Sequence, residues 1–222
     1  MPEARPKKRK AEAPVFDAAF RDRLSALLAW RRDVRRFRPD PVPESELETL
    51  LDLACLAPSV GNSQPWRFVR VEDPERRTAV IENFRRCNEE ALGDYRRARR
   101  QRYAALKLSG LQEAPVHLAV FADEGTAAGA GLGRRTMPET LRYSAALAVH
   151  TLWLAARARG LGLGWVSILD PEELAESLEV PSGWTLIAYL CLGYPVEEHP
   201  DPELERHGWQ GRDAACRKVL LR

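Results

Sequence analysis

Apolar residues along the chain recur first at helical spacing. Phe16, Phe20, Leu24, Leu27 and Leu28 share one face and predict an amphipathic helix that runs into Trp30-Arg31-Arg32-Asp33. Pro39, Pro41 and Pro43 break it. A second helix is predicted from near Glu44, with Leu47, Leu50, Leu51, Ala54 and Ala57 inward, stopping before Pro58. The loop APSVGNSQPW follows, then a short strand over Arg67–Val71. Residues 75–109 are rich in Arg, Glu and Ala and predict helix, in two pieces. Residues 115–122, PVHLAVFA, predict a buried strand, and EGTAAGAGLGRRTMPE after it a flexible loop.

Leu141–Arg159 is apolar almost all round, so the pattern predicts a helix running through the core. Gly160, Gly162 and Gly164 close that helix and lead into a strand at Trp165–Ile168. A short helix over Pro171–Leu178 and a strand over Thr185–Gly193 complete the periodic part. The arm from about residue 197 to 222 has little core of its own and is expected to reach over something else, such as a second subunit. Strands separated by long helices predict a layered α+β or α/β domain over residues 15–222, without internal repeats. Residues 1–14 are polar, charged and proline-containing, and are expected to be a disordered basic tail.

Composition narrows the function classes. The chain has 222 residues, 45% of them apolar and 30% charged, as in an ordinary globular protein. No stretch of 18 apolar residues is present, so no membrane helix is expected. The N-terminus has no apolar signal-peptide region. Cys55, Cys87, Cys191 and Cys216 are scattered, which reads as reduced thiols in a cytoplasmic protein, with Cys55 and Cys191 in the core. The histidines form no ligand set, so no metal is expected, and His150 is read as a packed core residue. A net charge of +2 argues against wholesale nucleic-acid binding, and RPKKRK at 5–10 reads as a solvated tail.

Candidate chemistry concentrates in WRRDVRRF, residues 30–37. Arg31 and Arg35 are four apart and would share a face if the helical turn continued, with Asp33 beside them. Converging guanidiniums bind phosphate bidentately, although surface ion-pair clusters use the same residues. The loop APSVGNSQPW can offer backbone N–H groups with Ser59, Asn62 and Gln64. YRRARRQRYAALK, 95–107, is either a solvated face or a cover over an anion. Gly129, Gly131 and Gly133 do not form GxGxxG, and neither a phosphate-binding P-loop nor a GxSxG elbow is present.

RRDVRRF, APSVGNSQPWRFV, LKLSGLQEAPV, LWLAARARGLGLGWVSIL and AYLCLGYP, in order over roughly residues 20 to 212, resemble the nitroreductase-like FMN proteins. The resemblance implies an α+β sandwich: a central, mainly antiparallel sheet flanked by helices, in an intertwined homodimer with FMN at the interface. It implies flavin contacts from Arg31, Arg32, Asp33, Val34, Arg35, Ser59, Leu108 and Ser167, and a phosphate contact from Arg212. Arg36 falls outside the site, and residues from about 95 to 135 form a lid in which Tyr95 and Tyr103 have no assigned role.

Flavin reductases of this family usually carry serine where this chain has Asp33, which points to its flavin-fragmenting members. The implied reaction takes reduced FMN and O2 to 5,6-dimethylbenzimidazole, the lower ligand of cobalamin, and erythrose 4-phosphate. FMN is then substrate, a separate flavin reductase supplies it, and Asp33 and Ser167 carry the chemistry. The surrounding arginines are expected to favour the Asp33 carboxylate. A flavin-recycling NAD(P)H nitroreductase or reductive dehalogenase is the alternative.

Overall fold

The computed structural model describes residues 13–213 and 215–222, so all but the last two residues of the expected basic tail lie outside the described part. Four strands, β1 (Trp66–Arg70), β2 (Val116–Asp123), β3 (Gly162–Val166) and β4 (Trp184–Gly193), form one antiparallel sheet in the order β1-β2-β4-β3. The α+β expectation holds at this level.

The central strand β2 has buried side chains on both faces, because successive residues point opposite ways. Leu118 and Val120 meet α2 (Glu44–Ala54) and α5 (Thr140–Ala158), through Leu47, Leu50, Val149, Leu152 and Ala156. Ala119 and Phe121 meet the other layer, built from α3 (Pro74–Asp94) and α6 (Pro171–Ser177) through Val80 and Leu174. Both α3 and α6 begin with an Asp cap and proline in the first turn, which satisfies the free N–H groups there. The sheet is therefore sandwiched between helices. Among the described residues no helix is long and apolar enough to cross a membrane.

Two predicted elements differ in how they sit. α1 (Ala18–Trp30) forms where the periodicity placed it, yet none of its residues is buried. Phe16, Phe20, Leu24 and Leu28 are between 39% and 55% exposed, so most of the apolar stripe is left uncovered by its own chain. α5 was expected to be buried all round, but Tyr143, Leu147 and His150 face outward. His150 is thus not a core residue, because its flank of α5 has no covering layer. Cys55 is likewise exposed, since it follows the last turn of α2 and not its buried stripe, whereas Cys191 is buried in β4.

The strand expected at Trp165–Ile168 begins at Gly162 and ends before Ser167. Of the three glycines assigned to the helix-closing turn, Gly162 and Gly164 are strand residues. A Cβ on Gly164 would lie 2.1 Å from the Val34 carbonyl oxygen, and one on Gly162 would lie 2.7 Å from a Val34 methyl. The backbone of residues 33–34 is laid directly against β3, and only glycine leaves room.

The lid span from about 95 to 135 is also corrected. Its middle, residues 116–123, is the most buried strand of the sheet and cannot move as a cover. Only its flanks are available. One is α4 (Arg97–Ala104) with the loop to residue 115, and the other is the turn at Ala128–Gly131, packed against Gly61.

Candidate functional site

α1 stops at Trp30, and Arg31 already has extended backbone, φ −65° and ψ 123°. The helical turn expected to align Arg31 with Arg35 does not form. Residues 33–38 instead run along β3 and past the end of β4. Asp33 bridges Leu163 in parallel, the Val34 N–H donates to the Leu163 oxygen at 3.1 Å, and Arg38 N–H donates to the Tyr194 oxygen at 2.9 Å. Alternation replaces helical spacing, and Arg31, Asp33 and Arg35 still come to one side.

Asp33 anchors the segment. Its Oδ1 accepts the Trp165 N–H at 2.8 Å and its Oδ2 accepts Arg35 Nε at 2.8 Å. Arg35 also donates to the Lys107 carbonyl at 2.9 Å, tying the strand to the loop after α4. Burial raises the Asp33 carboxyl above the usual carboxylate range, while Arg35, the Trp165 N–H and Arg31 pull the other way. The arginines do pull toward the carboxylate, as expected, and the loss of water around the group opposes them and sets the net direction.

Arg31 lies over the Trp153 ring, 4.7 Å from its centre, and Trp153 Nε1 donates to the Arg32 carbonyl at 3.1 Å. Arg32 donates to the carbonyls of Arg31 and Pro200, and its buried Nε has no hydrogen-bond partner. Arg212 lines one cavity together with Arg31, Arg32, Asp33 and Arg35. Burial lowers Arg31, which Asp33 opposes and Arg212 reinforces. Burial, then Arg212 and Arg31, lower Arg32 against the pull of Asp201 and Glu205. Three guanidiniums crowd one another with an unused N–H among them, so the donor set fits a phosphate dianion. Arg36 turns away to Glu203, at 2.8 Å, and to Glu197.

A second cavity shares Arg35 with the first and is walled by Tyr103, Leu108, Trp165, Ser167 and Trp209. Its walls are apolar and aromatic apart from Arg35 and the hydroxyls, which suits a planar ring. Val34 faces neither cavity; its side chain packs on Gly162. Tyr95, Tyr103 and Trp209 stack edge to face or tilted, with ring centres 4.9 to 6.0 Å apart. The first half of the expected arm thus folds back over its own chain, while Val219, Leu220 and Leu221 remain exposed. Trp153 and Trp209 were absent from the sequence-based site. Trp153 is indistinguishable there from core residues, and Trp209 sits in an arm without periodicity.

Ser59 does not join this group within one chain. It precedes the short turn Val60–Asn62, where the Val60 N–H donates to Ser144 Oγ at 3.1 Å. Ser144 and Trp153 are nine residues apart on α5, so the two ends are separated by about 14 Å. The Ser59 hydroxyl accepts the Gln64 N–H at 3.0 Å. Among the described residues no cluster could hold a metal ion.

Residues 28–194 match the model of the nitroreductase family, and the chain belongs to that family. It is 61% identical over 199 residues to 5,6-dimethylbenzimidazole synthase of Rhodospirillum rubrum, covering 90% of this chain and 94% of that protein. It is 48% identical over 195 residues to 5,6-dimethylbenzimidazole synthase of Rhodobacter capsulatus, covering 88% and 94%. Among solved structures, oxidized iodotyrosine deiodinase bound to FMN and 3-iodo-L-tyrosine superposes with a TM-score of 0.69 at 27% identity, covering 90% of this chain and 97% of that one.

Proposed function

We propose that the protein is a 5,6-dimethylbenzimidazole synthase, which fragments reduced FMN with O2 to 5,6-dimethylbenzimidazole and erythrose 4-phosphate for the lower ligand of cobalamin. The observation that carries this reading is the 61% identity to the Rhodospirillum rubrum enzyme over nearly the whole chain. Relatives named for other activities lie further away, at 31% for an NADH dehydrogenase and an iodotyrosine deiodinase.

Arg31, Arg32 and Arg212 would hold the phosphate, because their mutual repulsion is relieved by a dianion. Arg35, Leu108 and Ser167 would border the ring, and Val34 would contribute through its backbone alone. Reduced flavin supplies the electrons given to O2 and the carbon skeleton of the product. The chain's own share is to orient, exclude water and handle protons. Asp33 is suited to proton handling, because its carboxyl borders the arginine cavity and burial raises its proton affinity. Ser167, just past the end of β3, offers a hydroxyl to the neighbouring cavity, which shares Arg35 with the arginine cavity.

The working form is a homodimer. The exposed apolar residues of α1, and Tyr143 and Leu147 on the outward flank of α5, are uncovered apolar surface that a second copy would bury. A second copy would also bring a Ser59 to the arginine cavity that the chain's own Ser59 does not reach. A separate flavin reductase would supply FMNH2.

The test is direct. Chemically reduced FMN is added to the purified protein, air is admitted, and the small molecules are weighed by mass spectrometry. 5,6-Dimethylbenzimidazole is the expected product. Return of intact FMN from folded, flavin-loaded protein would instead assign a recycling reductase.

A further inference from the structure

Residues 95–107 carry Arg96, Arg97, Arg99, Arg100 and Arg102, and not one acid. All five arginines are exposed. Elsewhere the arginines are widely neutralised: Arg67 pairs with Asp123, Arg70 with Glu44, Arg76 with Glu179, and Arg157 with Glu198. None of the ion pairs among the described residues involves the five. The contacts they do make leave their charge uncompensated. Arg99 lies 4.9 Å from the centre of the Trp209 ring, Arg100 donates to the Leu92 carbonyl and Arg102 to the Gly208 carbonyl.

The position of this charge is specific. α4 has one buried residue, Tyr103, and Tyr103 is a wall of the cavity that contains Ser167 and Arg35. The helix therefore walls the cavity with its inner side and carries unpaired positive charge on its exposed side. Charges held this way add little to folding, and a concentration of five in a chain of net charge +2 makes a local field.

We infer that the outer face of α4 is an electrostatic capture surface, which draws a flavin mononucleotide phosphate from solution to the cavity and speeds its arrival without holding it once bound. This rests on the functional reading above. A resident cofactor arrives once, whereas a flavin that is consumed must arrive in every turnover, so its association rate enters the steady-state rate. Unpaired surface charge acts on that rate over roughly a Debye length, ~8 Å at physiological salt. Fields of this kind raise association by about 10- to 1,000-fold.

The test uses stopped-flow quenching of oxidised FMN fluorescence by the full chain. The Arg96→Gln, Arg97→Gln, Arg100→Gln triple variant keeps Arg99 on Trp209 and Arg102 on Gly208. At low ionic strength it should bind FMN ~10-fold more slowly, with an unchanged dissociation rate, and the gap should close in high salt. The matching triple Arg→Lys variant should bind at the original rate, since charge and not guanidinium shape does the steering. An unchanged association rate in the glutamine variant would overturn the inference. So would a loss confined to dissociation, an equal loss in the lysine variant, or an association rate of the unaltered protein that ignores salt. If the unaltered protein binds FMN in neither redox state, the reduced form being tested anaerobically, the functional reading itself fails, and that is visible before any variant is made.

Discussion

Asp33 is a structural anchor and, in the proposed reaction, the proton-handling group, and the two roles separate under substitution. Asp33→Asn keeps an acceptor for the Trp165 N–H but removes the titratable carboxyl. Flavin binding should change less than about 10-fold while 5,6-dimethylbenzimidazole formation falls by ~100-fold or more, the usual scale of a lost acid–base group. Undiminished product would remove Asp33 from the chemistry. A different residue should contribute to acid sensitivity. His117 is buried in β2 with Nδ1 2.9 Å from the Tyr189 hydroxyl, and burial, aided by Arg77, lowers its pKa to about 4. The unfolded chain takes up that proton near pH 6.5, so the stabilisation is full above this value and is lost as pH falls through 4. The loss should reach about 3 kcal/mol, because each tenfold difference in proton affinity between the folded and unfolded chain is worth ~1.4 kcal/mol. Urea unfolding at pH 7 and pH 4.5 measures it, and a His117→Gln protein with the same pH dependence would show that other groups are responsible.

At the scale of elements, the site depends on one close approach: residues 33–34 lying on β3. Gly164 is the position where nothing but hydrogen fits, because a Cβ would sit 2.1 Å from the Val34 oxygen and the obstruction is backbone. Gly164→Ala should cost about 2–3 kcal/mol and push Asp33 off the Trp165 N–H. Both losses should appear together, a lower denaturation midpoint and weaker FMN binding; a variant as stable as the parent would mean that the segment can shift without consequence. The helices show a different division. α2 and the inner side of α5 were legible because their apolar residues recur at helical spacing and pack on the sheet. The stripe of α1 has the same spacing, yet periodicity does not say whether the surface that covers it belongs to the same chain.

For the whole molecule, the arginine cavity and Ser59 lie at opposite ends of α5, and a two-fold partner would unite them. That arrangement allows complementation. Ser59→Glu in one chain and Arg31→Ala in another should each lose most flavin binding alone. A mixed dimer would contain one doubly altered site and one intact site, so mixing and refolding the two should restore up to about half of the activity per mixed dimer, as isologous symmetry requires. No recovery on mixing would place Ser59 outside the site or the protein outside the dimer.

Periodicity by itself determined a layered domain of strands and helices, the two helices that pack on the sheet and the buried central strand; the resemblance chose α+β and nominated Asp33, Ser167 and Arg212. Those are properties of local spacing or of quoted motifs, and they survive in one dimension. The tertiary structure alone decided that Arg31–Phe37 is extended, that Gly162 and Gly164 make room for it, that Trp209 folds back onto Tyr95 and Tyr103, and that the Asp33 carboxyl is raised by burial. Each of these depends on segments more than a hundred residues apart meeting at close range. Local spacing carries no information on such a meeting, because it is set by how the layers close on one another.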